Sequence, residues 1–173
     1  MNVRFEKLTN PTPEILEHLN KWENDPELIP FIRPNTTTED LESNKTITLK
    51  DLEQRLKYAP TYLIYLQNQL IGVIDYQVDP KVLYKKEPGT AWIGIMIGEA
   101  SGRGKGIGYL AMKYLEEQIR LQGLKRIELG VFEFNKNAIN LYKKLGYREI
   151  ARINDFTYWG GKMWQDIRMQ KYI

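Results

Sequence analysis

The sequence contains no cysteine and only one histidine, His18, among its 173 residues. The absence of cysteine excludes a disulfide scaffold, a thiolate zinc site and a cysteine nucleophile. One histidine cannot supply the several nitrogen ligands of a typical catalytic zinc site, so we predict that the protein binds no metal. The chain also lacks a G-x-S-x-G motif, which argues against a serine hydrolase of the α/β-hydrolase type.

Long hydrophobic runs and a strong charge of one sign are also missing. No apolar run approaches the roughly 18 residues that a membrane-spanning helix requires. The first ten residues have no apolar stretch after a basic start, so no secretory signal is predicted. Charged residues make up 27% of the chain and the net charge is only +3, both ordinary for a folded domain. We therefore expect one globular domain over residues 1–173, located in the cytoplasm and without membrane contact.

Hydrophobic periodicity predicts alternating groups of strands and helices. The predicted strands lie near 3–8, 61–66, 70–78, 91–98, 126–132, 147–158 and 163–172. The predicted helices follow Thr12, run from Thr48 to Pro60, cover 107–122 and follow Asn135. Residues 26–47 contain three prolines and predict a loop with at most a short helix. The order β-α-α-β-β-β-α-β-α-β-β predicts an α/β (α+β) mixed sheet with helices on both faces.

A glycine-rich loop, Arg103-Gly104-Lys105-Gly106-Ile107-Gly108, stands between a predicted central strand and a predicted helix. Glycine lets a ligand approach the backbone closely, and a helix N-terminus offers free N–H groups to an anion. The two basic side chains add positive charge, so the loop predicts a diphosphate site; a tight turn that only packs the helix is the alternative. Gly106 after Lys105 excludes a Walker loop, and Tyr109 stands where a Rossmann fingerprint needs its third glycine.

Two segments carry a resemblance to a known family. The sequence R-G-K-G-I-G after an apolar strand resembles the R/Q-x-x-G-x-G/A pyrophosphate-binding motif of the GNAT superfamily of acyl-CoA N-acyltransferases. N-K-N-A-I-N-L-Y-K-K-L-G-Y at 135–147 is similar to the family's N-x-x-A-x-x-L-Y-x-K-x-G-F. A looser similarity at 21–27 and 93–99 is to the branch of ribosomal-protein N-terminal and small-amine acetyltransferases. The resemblance covers about residues 91–147 and implies a GNAT fold that uses acetyl-CoA.

The resemblance also implies where the cofactor binds. In the family, a bulge separates the fourth strand from the fifth, and the acyl-pantetheine arm lies in that gap. Carried over, main-chain groups around Met96 and Ile97 would bond the arm and polarise the thioester carbonyl. Asn135 would contact the arm, cap the following helix, or do both. The implied cofactor-binding residues are Met96, Ile97, Arg103, Gly104, Lys105, Gly106, Ile107, Gly108, Asn135, Ala138 and Tyr142.

Three residues are candidates for proton transfer. Tyr142 matches the family tyrosine that protonates the leaving thiolate, with core packing as the alternative; a phenol stays protonated at neutral pH. The family often places a glutamate early in the fourth strand, where this chain has Trp92. Asp75, in an otherwise apolar strand, is therefore the first candidate for the base and Glu99 the second, while a chain of waters is the alternative.

These observations predict an N-acetyltransferase that transfers an acetyl group from acetyl-CoA to a primary amine. Acidic residues outnumber basic ones in residues 1–60, which favours a small cationic acceptor, polyamine- or aminoglycoside-like. Trp159 or Tyr158 would offer this cation an aromatic face. A peptide acceptor, as in protein N-terminal or lysine acetyltransferases, and a non-catalytic acyl-CoA sensor are the alternatives. No basic ribbon interleaved with aromatic residues indicates a nucleic-acid partner, and the chain could act as a monomer or homodimer. The acidic residues near the variable loop are Asp25, Glu27, Glu39, Asp40 and Glu42.

Overall fold

A single seven-stranded sheet organises the chain in the computed structural model, which describes residues 1–173. The strands are β1 (Val3–Lys7), β2 (Thr61–Leu66), β3 (Gln69–Val78), β4 (Thr90–Ile97), β5 (Arg126–Phe132), β6 (Arg148–Trp159) and β7 (Lys162–Tyr172). Their order across the sheet is β1-β2-β3-β4-β5-β7-β6. Only β4 and β5 pair in parallel, and all other neighbours are antiparallel. The predicted mixed sheet is confirmed.

Six helices connect these strands. They are α1 (Pro13–Glu23), α2 (Ile29–Ile32), α3 (Thr38–Glu42), α4 (Leu49–Tyr58), α5 (Ile107–Leu121) and α6 (Lys136–Lys144). The expectation of at most one short helix in residues 26–47 was wrong, because this segment contains both α2 and α3. Thr37 begins α3 by accepting a hydrogen bond from the Asp40 amide, so a local capping contact forms this helix without any apolar periodicity.

Helices cover both faces of the sheet. On one face, α5 and α6 pack on the larger core, in which Ile74, Ile127 and Met112 are fully buried. On the other face, α1 and α4 enclose a smaller core around Trp22 and Leu52. Apolar residues are therefore needed on both sides of the central strands, which explains why β4 shows no polar–apolar alternation. None of the helices is long and apolar enough to cross a membrane.

The parallel strands β4 and β5 separate shortly after they begin to pair. Pairing covers only residues 90–92 of β4 with residues 126–128 of β5. Beyond these pairs the two strands are no longer hydrogen-bonded to each other, and we call the space between them the strand gap. The chain leaves β4 through the glycine-rich loop into α5, and it leaves β5 directly into α6. The two helix N-termini therefore follow the open ends of the strands that border the gap.

Candidate functional site

The glycine-rich loop presents bare backbone at the start of α5. Gly104 and Gly106 have φ values of +70° and +76°, and a Cβ on either would meet open space. Gly106 is the N-cap of α5, and no side chain caps the first turn. The first N–H groups of a helix have no intrahelical acceptor, so those of Ile107 and Gly108 are free for an anion.

The two basic side chains of this loop are exposed. Arg103 donates hydrogen bonds from Nε to the carbonyl of Ile97 at 3.2 Å and from Nη2 to the carbonyl of Gly98 at 2.9 Å. It therefore ties the loop to the end of β4 while keeping its charge at the mouth of the strand gap. Lys105 has no ion-pair partner in the protein and adds a second positive charge nearby.

The third glycine of the motif has a packing role. A Cβ on Gly108 would lie 3.2 Å from Cδ2 of Leu141, so this glycine allows α5 and α6 to approach closely. Gly102, just before the motif, is packed in a similar way against Ile71, whose Cδ1 would lie 2.7 Å from an added Cβ. The sequence could not separate these packing glycines from Gly104 and Gly106, since both roles require the absence of a side chain.

The main chain of β4 alternates between its two neighbours. Thr90 accepts a hydrogen bond from the Asp79 amide on the β3 side at 2.9 Å. A side chain on Gly72 of β3 would collide with the carbonyl oxygen of Met96, which therefore also points toward β3. Because main-chain groups alternate direction along a strand, the even-numbered residues of β4 bond β3 and the odd-numbered ones face the strand gap.

This alternation describes the main chain at the expected cofactor contacts, Met96 and Ile97, which stay predictions. The main chain of Ile97 faces the gap as expected, although its carbonyl also accepts from Arg103. The main chain of Met96 points toward β3, and its side chain packs against the smaller core under α1 and α4. Ile95 has the same orientation as Ile97 and was missed, because a one-residue shift in strand register cannot be resolved from an apolar run.

Asn135 lies where β5 leads into α6. Its side-chain oxygen accepts a hydrogen bond from the amide of Ala138 at 3.4 Å, which confirms the capping role. Its own amide donates to the carbonyl of Phe132 at 2.8 Å, so the turn is fixed at both sides. Ala138 is half-buried against the larger core. Contact of Asn135 and Ala138 with the cofactor arm stays a prediction.

Tyr142 is buried, with 7% of its surface exposed, and its ring packs edge-on against Tyr147 at 5.9 Å between centroids. Burial raises the pKa of Tyr142 to about 12, so the phenol is protonated at neutral pH. Its hydroxyl makes no hydrogen bond within the protein, whereas Tyr147 donates to Oε1 of Glu116 at 3.1 Å. The Tyr142 proton is therefore uncommitted, as a proton donor requires.

Asp75 lies on β3 opposite Gly94 of β4, on the face covered by α1 and α4. Its carboxylate reaches across that glycine, with Oδ1 3.1 Å from the place of an added Cβ. The carboxylate makes no hydrogen bond within the protein, and its side chain keeps some contact with solvent although it lies deep. Burial raises the pKa of Asp75 to about 6, opposed by the charge of Arg55 and assisted by that of Glu23. These are properties of a general base.

Glu99 is occupied by other contacts. Its Oε1 accepts hydrogen bonds from Nζ of Lys21 and from Nε1 of Trp22, each at 2.8 Å. These bonds lower the pKa of Glu99 from its ordinary value and make it a weaker base than Asp75. The indole of Trp22 lies directly against Gly98, so Glu99 fixes this contact between α1 and the end of β4.

A second carboxylate, which the sequence analysis missed, lies across the strand gap. Asp166 of β7 is buried, and Oδ2 is 2.7 Å from the place of a Cβ on Gly130 of β5. Its Oδ2 also accepts a hydrogen bond from Nε of Arg168 at 2.8 Å. The indole of Trp92 reaches the same glycine, with Cη2 3.1 Å from that place, and thereby forms the floor where the gap begins. Asp166 did not stand out in the sequence, because six of the eleven residues of β7 are polar or charged.

Aromatic side chains form a wall on the same face. Phe134, just after β5, packs against Trp159 at 4.4 Å and against Trp164 at 5.4 Å between centroids. Phe31 of α2 joins both Phe134 and Trp159, at 5.5 and 5.9 Å. Trp159 is thus part of a packed cluster, and the expected aromatic face is shared with Phe134, which the sequence analysis did not single out.

Two of the acidic residues near the variable loop are engaged in local turns. Asp25 accepts a hydrogen bond from the Glu27 amide, and Asp40 accepts one from the Thr36 amide. A cavity of about 150 Å³ lies nearby, and its charged lining contains three cations and one carboxylate. This cavity therefore does not favour a cation. Its lining residues are Glu23, Ile32, Arg33, Lys45, Ile47 and Arg55. The structure has no group of three or more His, Asp or Glu side chains that could hold a metal ion.

Comparison with known proteins agrees with this geometry. The sequence model of the Acetyltransferase (GNAT) family matches residues 16–147. A spermine/spermidine N(1)-acetyltransferase of Bacillus subtilis (strain 168) is 31% identical over 109 residues, which cover 62% of this chain and 70% of that protein.

Two solved structures have the same fold. A spermidine N-acetyltransferase from Vibrio cholerae, in complex with CoA and spermine, has a TM-score of 0.74 at 16% identity and covers 98% of this chain and 95% of its own. A ribosomal-protein-alanine N-acetyltransferase from Brucella melitensis has a TM-score of 0.74 at 20% identity, with both chains covered completely. At these identities the likeness concerns the fold.

Proposed function

Because the chain belongs to the GNAT family of acetyltransferases, we propose that it transfers the acetyl group of acetyl-CoA to a primary amine of a small cationic acceptor of polyamine type. The observation that carries this proposal is the unpartnered carboxylate of Asp75, which lies over Gly94 of β4 and whose pKa is raised by burial to about 6. An ammonium cannot attack a thioester, so the acceptor needs a proton acceptor at this place.

The chain offers acetyl-CoA three kinds of contact. The free N–H groups at the start of α5 would hold its diphosphate, with Arg103 and Lys105 adding charge. The arm would lie in the strand gap beside the main chain of Ile95 and Ile97, and reach Asn135 on the far side. A main-chain N–H of β4 aimed at the thioester carbonyl would stabilise the negative charge that develops there.

Acetyl transfer then needs two proton movements. Asp75 would accept a proton from the acceptor ammonium, and the nitrogen lone pair would form a bond to the acetyl carbon. The carbon–sulfur bond would break, and the hydroxyl of Tyr142 would give its proton to the departing thiolate. Both reactants are held together, so proximity contributes strongly to the rate.

Two observations support a cationic acceptor of small size. The curated relative that matches 62% of this chain acts on spermine and spermidine by its name. The face that carries Asp75 also carries Asp166 and the aromatic wall of Phe134 and Trp159, all of which attract a cation. The cation would bind beside Asp75 over Gly94, and not inside the neighbouring cavity lined by Arg33 and Lys45, although Arg55 of that lining is close enough to act on the charge of Asp75.

A panel of acceptors with acetyl-CoA, read by release of free thiol, tests the proposal. We expect turnover with polyamines such as spermidine, and little turnover with amino acids or with peptides that carry an alanine N-terminus. Binding of acetyl-CoA without thiol release for any amine would favour the sensor. Turnover with peptides alone would favour the protein N-terminal acetyltransferase.

A further inference from the structure

The two strands that border the gap carry glycines at the same level. The last parallel pair joins Trp92 of β4 to Glu128 of β5. Two residues further along, Gly94 and Gly130 occupy matching positions on the two strands. Residues two apart in a strand lie on the same face, so both glycines are on the face of Trp92. The gap is therefore flanked on this face by two positions without side chains.

A carboxylate from the next strand outward reaches over each glycine. Asp75 of β3 lies over Gly94, with its two oxygens 3.1 and 3.3 Å from the place of an added Cβ. Asp166 of β7 lies over Gly130, with the corresponding distances 2.7 and 3.2 Å. Both carboxylates lean toward the gap from opposite sides. The indole of Trp92, whose Cη2 lies 3.1 Å from the place of a Cβ on Gly130, borders the space between them on the Gly130 side.

The carboxylate of Asp166 is only partly neutralised. Arg168 bonds Oδ2, while Oδ1 makes no hydrogen bond and is not among the fully buried atoms that lack a partner. The charge of Arg168 is shared, because its Nη1 lies 3.6 Å from Oε2 of Glu128 and donates to the carbonyl of Val82. Burial raises the pKa of Asp166 even though Arg168 acts in the opposite direction. An additional cation at Oδ1 would therefore be favourable.

The surroundings suit a hydrocarbon chain that carries a charge. Phe132 pairs with Asp166 across β5 and β7, and its ring continues into Phe134 at 5.8 Å. Trp92 lies beside Gly130, and the guanidinium of Arg168 covers one part of its indole at 4.8 Å from the ring centroid. Transfer of methylene groups from water to such apolar surfaces is favourable. An acceptor with a single ammonium would use only one of the two carboxylates.

We propose that Asp166 binds a second ammonium group of the acceptor, so that a diamine or polyamine spans the strand gap between Asp75 and Asp166. This inference rests on the proposed function and narrows its substrate class to amines with at least two positive charges. Asp166 is a binding residue in this arrangement, and Asp75 remains the base for the amine that is acetylated.

The first test varies the acceptor and leaves the protein intact. Straight-chain diamines are compared with monoamines of equal length, at saturating acetyl-CoA, by thiol release. A hydrogen bond to a charged partner contributes enough free energy for about 10- to 100-fold, so we expect kcat/KM to favour the best diamine by that factor. Equal values for diamine and monoamine would overturn the inference while leaving the proposed function in place. Absence of turnover with every amine would instead overturn the proposed function.

The second test removes the charge of Asp166. Asp166→Asn keeps a side-chain oxygen for Arg168, and should raise KM for the diamine by about 10-fold or more with little change for the monoamine. Gly130→Ala should have a similar effect, because its Cβ would displace the carboxylate. Asp155→Asn is the matched control, since Asp155 is exposed on β6 with φ +50°, a conformation that asparagine tolerates.

Thermal unfolding and acetyl-CoA affinity of each variant establish that it is folded. If folded Asp166→Asn keeps the parental preference for diamines over monoamines, Asp166 has only a structural role and the inference is wrong.

Discussion

Asp75 combines a buried position with a carboxylate that has no hydrogen-bond partner, and this combination makes its proposed role as the base testable by pH. With a pKa of about 6, Asp75 is protonated below that pH and able to accept a proton above it. We expect kcat/KM for the amine to rise with pH through about 6 and the low-pH limb to disappear in Asp75→Asn, together with a loss of about 10²–10⁴-fold in kcat. Glu99→Gln is the control and should keep most activity, because Glu99 is bonded to Lys21 and Trp22. If Glu99→Gln loses activity and Asp75→Asn does not, Glu99 is the base and Asp75 is not.

The same carboxylate should destabilise the folded protein at neutral pH. The pKa of Asp75 rises from 3.8 to about 6 on folding, so the folded state binds more protons than the unfolded state between these values. Stability due to Asp75 therefore falls as pH rises from about 4 to 6, by about 1–3 kcal/mol at 1.36 kcal/mol per pH unit. We expect Asp75→Asn to melt at a higher temperature than the parent at pH 7.5, and at pH 4 the difference should largely vanish. An unchanged melting temperature at both pH values would show that the charge is well solvated.

Tyr142 and Tyr147 form a matched pair for separating chemistry from packing. Their rings are in contact, but only Tyr147 uses its hydroxyl within the protein. We expect Tyr142→Phe to keep acetyl-CoA affinity and melting temperature while kcat falls by up to about 10²–10⁴-fold. Tyr147→Phe should lose about 1 kcal/mol of stability and keep its activity. If kcat of Tyr142→Phe is within a factor of about two of the parent, Tyr142 is a packing residue and water supplies the proton.

At the residue scale, the sequence was most informative where a motif has one chemical use. The loop around Arg103, the cap at Asn135 and the apolar setting of Tyr142 were all predictable from residue type and spacing. Asp166 and Ile95 were not, because their significance depends on which strands become neighbours. The pairing of β5 with β7 joins residues between 34 and 46 positions apart, and no local pattern encodes that register.

At the scale of elements, the start of α5 is where the glycine-rich loop would meet the diphosphate of acetyl-CoA. Gly106 and Gly123 stand at the two ends of α5 with φ values of +76° and +78°, and both have open space around them. Valine at either position costs the same backbone strain. We expect Gly106→Val to lose acetyl-CoA binding by calorimetry, because its side chain would block the free N–H groups. Gly123→Val should have the same loss in melting temperature with full affinity. Equal acetyl-CoA affinity in Gly106→Val and Gly123→Val would show that the glycine-rich loop does not bind the cofactor.

Element boundaries followed the sequence closely where turns use glycine or a capping residue. β5 was predicted at 126–132 and is observed there, and α5 ends one residue before the predicted end. The helices α2 and α3 were not separated in advance. They are four and five residues long, so neither can show a full period of apolar residues. Their existence depends on capping by Thr37 and on packing of Ile29 into the fold.

At the scale of the whole molecule, the sheet consists of two antiparallel halves, β1–β4 and β5–β7–β6. The halves meet at the three parallel pairs, and side chains add to this junction. Arg126 donates to Thr90 and to Glu128, while the amides of Tyr84 and Lys85 donate to the carboxylate of Glu128. Replacing Glu128 by glutamine would remove the 2.7 Å ion pair of buried Arg126 and leave it only the half-exposed carboxylate of Glu87 at 3.8 Å. We expect a loss of about 3–5 kcal/mol in unfolding free energy, measured with denaturant. A loss below about 1 kcal/mol would mean that the strand pairs alone hold the junction.

The short β4–β5 junction between the two halves is the part of the sheet that resists mechanical force least. A pulling force applied to the two edge strands would load every strand pair in series, and the β4–β5 pair has the fewest bonds to share it. Since the chain has no cysteine, thiol handles can be placed at will, for instance by Glu6→Cys on β1 and Arg148→Cys on β6. Acetyl-CoA bound between β4 and β5 would contact both halves of the sheet and would strengthen their junction. The rupture force measured with optical tweezers should then rise with the concentration of acetyl-CoA. The force would thus report how much of the site is occupied.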